Sequence, residues 1–198
     1  MSTELLQLLL WLVVLAIGIF LYYSGLLHDV HVMISKPRLE GQLDIVYKYG
    51  QGPYKSVGAV FKDLVGRVPA PTKFIGIYYD DPRSTAAEKC RWAVGAIAAV
   101  DGKPELMPDT IQTLKADGYR TWKLPRGENG IVTEFCHTTF LSVFLATMRV
   151  YRYLDDFQKE NKIKTYPLME LYFDKTIFYF LPLSKQEEFI VPEIQKKA

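Results

Sequence analysis

Near the end of the chain stands Leu171-Tyr172-Phe173-Asp174, which repeats the pattern of Ile77-Tyr78-Tyr79-Asp80 in the first half. Each reads as the aliphatic and aromatic end of a strand running into an acidic turn. Working outward from each copy gives the same neighbours in the same order. Before the first, residues 43–49 are rich in β-branched and aromatic side chains and predict a strand. Pro53 at a first helical position, then Val57, Val60, Phe61 and Leu64 at helical spacing with Gly66 as a stop, predict a helix. Residues 73–79 and 90–98 predict two strands, with Asp80-Asp81-Pro82 in the turn. Around the second copy, residues 131–136 predict a strand. A helix follows from an N-cap at Thr138 or Thr139 to about Lys159, with Phe140, Phe144, Met148, Tyr151 and Leu154 as its apolar stripe. Strands at 166–173 and 176–183 close the copy. Strand–helix–strand–strand occurring twice predicts an α+β fold in which two halves share one antiparallel sheet with both helices on one face. A strand at 30–34 precedes the halves, and a helix at 108–116 and a strand at 119–124 lie between them.

Residues 5–22 read LLQLLLWLVVLAIGIFLY, with Gln7 the one strongly polar member. As a helix this stretch is about 27 Å long, close to the roughly 30 Å of a hydrocarbon core, and it fits a thinner bilayer somewhat better without distinguishing one membrane from another. Tyr22 and Tyr23 fall where aromatic rings favour the interface. A cleaved signal peptide would want a basic start and a small-x-small cleavage site. Glu4 is the only charge before the span, so an uncleaved anchor is the reading adopted. Lys36 and Arg38 follow the span and no Lys or Arg precedes it, which predicts a domain in the cytosol. The absence of any N-x-S/T acceptor agrees. The expected layout is an anchor at 1–27, a juxtamembrane linker at 28–42, a domain at 43–185 and a C-terminal tail at 186–198.

With 49% hydrophobic and 23% charged residues, the chain is composed as a folded protein and not as a disordered one. Net charge is +2 and the basic residues are scattered. The longest cluster, Lys196-Lys197, reads as a solvated tail, so direct nucleic-acid binding is not expected. Cys90 and Cys136 form no C-x-x-C pair and read as reduced, mostly buried thiols. No G-x-S-x-G, H-E-x-x-H or G-x-x-x-x-G-K-[ST] occurs. No metal or cofactor is called for, and an enzyme is not the leading expectation.

Tyr78-Tyr79-Asp80-Asp81-Pro82, then Glu88-Lys89-Cys90-Arg91-Trp92-Ala93-Val94-Gly95, resemble the gyrase-inhibitor-like (SOUL/SHS2-type) effector-binding domain. Gly50-Gln51-Gly52-Pro53-Tyr54 resembles that family's H-x-G-P-Y segment, and Pro167-Leu168-Met169-Glu170-Leu171-Tyr172 its closing P-x-x-E-[IL]-Y strand. The resemblance covers most of residues 43–185. In bacterial members the Glu matching Glu170 sits in an aromatic cleft between the halves, binds cationic drugs and in some cases helps hydrolyse cyclopropane-containing alkylators. The resemblance therefore implies a hydrophobic or cationic small molecule at Glu170, which is also the one candidate catalytic residue. Strand alternation places Glu170 with Leu168 and Tyr172 on one face, opposite Met169, Leu171 and Phe173. Tyr47, Tyr79, Trp92 and Trp122 are the candidates to sandwich a flat ligand and Tyr172 is a further ligand-binding candidate; of the sandwiching four, Tyr79 lies with Glu170 in the matching motifs. Among 13 Tyr, 11 Phe and 3 Trp, filling the core is the competing role for each.

A narrower resemblance covers the whole chain, anchor included. It rests on Tyr23-Ser24-Gly25-Leu26-Leu27, residues 80–94, Phe144-Leu145-Ala146-Thr147 and Phe189-Ile190-Val191-Pro192-Glu193. Together these are similar to a family of reticulum-anchored receptors for selective autophagy of the reticulum. The family also brings the valosin-containing AAA ATPase and a repair protease to DNA–protein crosslinks. The resemblance implies Atg8-family proteins and that ATPase as partners, and a location in the reticulum membrane or the nuclear envelope. The family's aromatic-x-x-aliphatic Atg8 motif lies in an acidic disordered tail that this sequence, ending at Ala198, does not contain. Phe61-Lys62-Asp63-Leu64 and Tyr151-Arg152-Tyr153-Leu154 have the spacing but fall in predicted helices, where their aromatics are expected as core anchors.

Overall fold

The structure, a computed structural model, describes residues 2–195. The apolar N-terminal stretch is the helix α1 (Thr3–Tyr23), capped by Ser2 and exposed along its whole length. Then come β1 (Met33–Ser35), β2 (Leu43–Gln51), α2 (Val57–Val65), β3 (Phe74–Tyr78), β4 (Arg91–Val100), the short β5 (Lys103–Pro104), α3 (Pro108–Ala116) and β6 (Arg120–Leu124). The second half runs through β7 (Gly130–Cys136), α4 (Phe140–Glu160), β8 (Leu168–Phe173) and β9 (Thr176–Pro182), and α5 (Pro192–Gln195) follows. The order β2-α2-β3-β4 is repeated as β7-α4-β8-β9, as the sequence repeat requires.

All strands join one antiparallel sheet in the order β1-β7-β9-β8-β3-β4-β2-β6, with β5 paired to β4. The halves meet where β3 pairs with β8, and the middle pair of that seam is Gly76 opposite Glu170. Period-two alternation sorts the side chains. Val46, Val94 and Ala96 face α2 and α3, packing with Val57, Leu64 and Leu114. Ile131, Phe135, Ile177 and Leu181 face α4, packing with Leu145, Ala146, Val150 and Leu154. The other face gathers Ile45, Ile75, Ile77, Met169, Leu171 and Phe180.

Three boundaries differ from expectation, each because apolar surface found a partner. Helix α3 joins α2 and α4, so three helices cover that face. Phe189, Val191 and Ile194, expected in a tail, are buried against the far face of the sheet. Within 28–42, Val30 is buried beneath α4 and β1 begins at Met33, so the segment is part of the domain and not a linker. Lys196 and Lys197 lie outside the described residues.

Helix α1 is fastened to the second half. The Thr138 hydroxyl donates to the Tyr23 carbonyl (2.6 Å) and that of Thr139 to the Ser24 hydroxyl (2.8 Å). Arg149 donates to the carbonyls of Gly25 (3.1 Å) and Leu26 (2.8 Å). Gly25 has φ +98°, and a Cβ there would lie 2.4 Å from the Cys136 sulfur, so only glycine fits the bend.

Candidate functional site

Glu170 points from β8 toward the helices and lies at the floor of a cavity of about 850 Å3 between α2 and α4. It is 4% exposed. Its carboxylate accepts from Tyr151 on α4 (2.9 Å) and from Tyr172 on its own strand, with the Tyr78 hydroxyl of β3 alongside. Burial raises the Glu170 pKa above the usual glutamate value, and the three hydroxyls oppose that rise without cancelling it. Burial and the same carboxylate push Tyr78, Tyr151 and Tyr172 well above the ordinary phenol range, so all three remain neutral donors at physiological pH.

Aromatic edges continue the wall. Phe61 of α2 packs T-shaped on Tyr172 at 5.1 Å and Tyr54 on Tyr78 at 5.0 Å, while His137, outside the cavity lining, packs on Tyr172 at 5.6 Å. Burial lowers the His137 pKa, so its ring is neutral at physiological pH. Phe140, Val143, Phe144 and Met148 of α4 complete the apolar side, and Asp81, Arg83 and Arg152 stand at the rim. A carboxylate set among π faces suits a flat cation, or an apolar molecule with one donor group.

The residues between Tyr79 and Cys90 are held by structural bonds. The Tyr54 hydroxyl donates to the Asp80 carbonyl (2.7 Å) and accepts from the Asp80 N–H (3.0 Å). Asp80 takes both arms of Arg91, at 2.7 and 2.9 Å, and its backbone N–H as well. The Asp80 and Arg91 of the family motif therefore shape the turn and leave the cavity floor to others.

Of the six residues predicted for the ligand, Glu170 and Tyr172 line this cavity. Tyr47 and Tyr79 do not, because alternation turns them to the opposite face. Tyr47 donates to Glu193 (2.8 Å), and Tyr79 donates to the Phe189 carbonyl and accepts from the Val191 N–H, both at 3.4 Å. Trp92 is packed over Gly50 of the neighbouring strand, in the core beneath α2 and α3. Trp122 lies on edge strand β6 beside Asp44 in a separate cavity of about 590 Å3. The residues missed are Tyr78, Tyr151, Tyr54 and Phe61. The repeat carried the signal for Tyr78, since aligning Asp80 with Asp174 sets Tyr78, and not Tyr79, on Tyr172. Tyr151 stood in the predicted stripe but gave no sign of its partner. Among the described residues no group of His, Cys, Asp and Glu side chains could hold a metal ion.

Fold and cleft together define the class: an α+β domain with helices on one antiparallel sheet, behind what is, among the described residues, one apolar helix long enough to cross a membrane. Along nearly its whole length the chain is similar to testis-expressed protein 264. It is 35% identical to the human protein over 191 residues, which is 96% of this chain and 59% of that protein. It is 34% identical to the mouse homologue over 177 residues, 89% of this chain and 56% of that one. The chain thus spans less than two thirds of the length of these relatives. No family model matches it. Solved structures of similar shape include the EcmrR C-terminal domain, with TM-score 0.46 and 12% identity over 80% of this chain and 99% of that one. Another is a hydrolase from Listeria innocua, with TM-score 0.45 and 8% identity over 79% of this chain and 92% of that one. Scores this low at such identities say nothing of function.

Proposed function

We propose that the protein is a single-pass adaptor of the endoplasmic-reticulum membrane, with its domain in the cytosol, acting in selective autophagy of the reticulum. The observation that carries this is similarity to testis-expressed protein 264 along 96% of this chain and 59% of that protein, in a chain whose α1 is apolar and wholly exposed. An exposed helix of this composition has no stable place in water, whereas a bilayer satisfies it. Lys36 and Arg38 beyond the span favour a cytosolic domain. Its partners in this reading are Atg8-family proteins and the valosin-containing AAA ATPase, and the latter extends the role to DNA–protein crosslink repair. Phe61 and Tyr151 are both engaged in the cleft, so neither helical aromatic-x-x-aliphatic segment offers a free ligand for Atg8-family proteins. The test is a pull-down of the chain in detergent against both partners. Retention of the ATPase is the expected result, and retention of neither would remove the adaptor reading.

The buried, tyrosine-ringed Glu170 favours a second reading, compatible with the first, in which the cleft holds a hydrophobic or cationic small molecule. In the stronger form it hydrolyses a cyclopropane-containing electrophile, with Glu170 positioning water. The check is titration with a flat cationic dye. Glu170→Gln should weaken binding about tenfold or more, as loss of a charge-assisted contact in a desolvated site predicts. Unchanged binding and unchanged turnover would end this reading.

A further inference from the structure

The exposed face of α4 changes character along its length. Phe140, Phe144 and Met148, one helical turn apart, are 83%, 60% and 60% exposed. Farther along, the same stripe continues as Arg152 and Asp156, with Lys159 and Glu160 exposed beyond and Tyr153 the one exposed aromatic among them, and a soluble surface would have such charged residues throughout. The apolar part is the part nearest the anchor. The Phe140 ring stands 6.1 Å from that of Phe20, which lies three residues inside the end of α1. At about 1.5 Å per residue, that contact sets Phe140 within roughly one turn of the end of the span, at the depth of the headgroups. The bonds from Thr138, Thr139 and Arg149 to residues 23–26 tie the start of α4 to the end of α1, so the stripe cannot swing freely away.

We infer that the first half of α4 is an interfacial membrane-binding helix, with Phe140, Phe144 and Met148 seated among the lipids of the bilayer that α1 spans. This rests on α1 being a transmembrane anchor, as proposed above. The occupant is lipid because the stripe is continuous with the span through Phe20 and ends where charges begin. An amphipathic helix with that profile gains free energy at a bilayer surface in proportion to the apolar area it buries. Phe140, Phe144 and Met148 also wall the cleft, so a seated α4 gives an apolar ligand a route to Glu170 from the bilayer.

The test places a photoreactive p-benzoylphenylalanine at positions 12, 123, 144 or 148 of the full chain, in phosphatidylcholine vesicles. Lys123, on the edge strand farthest from α4, is the aqueous control. On irradiation, positions 144 and 148 should form phospholipid adducts in yields comparable to position 12, and position 123 only background. Adducts at 12 without adducts at 144 and 148 would overturn the inference while leaving the anchor intact. Protein–protein adducts at 144 and 148 would overturn it in favour of a second copy on the stripe. No adduct at 12 would remove the anchor and the inference together.

Discussion

The two halves of the sheet are alike in order and unlike at the seam. Aligning Ile77–Asp80 with Leu171–Asp174 sets Gly76 of the first half on Glu170 of the second, and these two residues also face each other across β3 and β8. The pseudo-twofold relation between halves therefore passes through a pair that cannot obey it. A second carboxylate there would lie beside the first in a buried site, where like charges cannot both be held. The first half contributes Gly76 and lends Tyr78 instead, whose ring lies 3.0 Å from where a Cβ at Gly76 would stand. The repeated order supplies the scaffold, and its departure from symmetry at this one pair leaves room for the buried carboxylate. The helices and turns differ as well. Helix α2 has 9 residues and α4 has 21, and the extra turns carry the apolar stripe at one end and Asp155 at the other. The strands of the second half are joined by Asp174 and Lys175, both with positive φ (52° and 57°), as tight hairpins require. In the first half, residues 79–90 make the same connection and reach α4 through Arg83 and Asp155.

The hardest blow to this comparison is Gly76→Glu. It should cost roughly 4 kcal/mol or more and leave little folded domain, as judged by circular dichroism. A well-folded variant would mean that positions 76 and 170 do not face each other. Next, Leu64→Ala under α2 and Leu154→Ala under α4 should each cost about 2–5 kcal/mol and shift one shared urea transition. Two separate transitions would mean that the halves are independent units.

Glu170→Gln sharpens the asymmetry through pH. The raised folded-state pKa means that the protonated carboxyl favours the folded state, so stability is full below the ordinary glutamate value and falls as pH rises through the raised one. The Gln variant should lack this loss. It should exceed the parent in urea stability at neutral pH, and the gap should close toward pH ~4. A gap that widens on acidification would contradict the buried-carboxylate assignment. Smallest of all, Arg83→Ala removes an exposed guanidinium from the partly buried Asp155, which Lys159 still pairs, and should cost about 1 kcal/mol or less. A larger loss in thermal unfolding would give residues 79–90 more weight in holding the halves together.

The order of elements was legible in the sequence because periodicity and turn residues are local signals, and two copies reinforced each other. Glu170 came from the resemblance to the P-x-x-E-[IL]-Y strand, and that strand's alternation puts it on one face with Tyr172. Tyr47 and Tyr79 went astray because assigning their face needs the strand's register against its neighbours. Trp92 went astray because its place over Gly50 depends on a cross-strand pair. Tyr151 could not be paired with Glu170 from sequence, since a helix crossing a sheet chooses partners by packing. The burial of Phe189, Val191 and Ile194 was hidden because a short apolar run carries no period to show which surface it will cover.

The central claim is that α1 is a membrane span holding this domain in the cytosol. The direct measurement is alkaline carbonate extraction with protease protection of the chain inserted into reticulum-derived microsomes. The account predicts a chain that stays in the carbonate pellet and a domain that added protease digests without detergent. Release into the supernatant, or a domain protected until detergent is added, would contradict it.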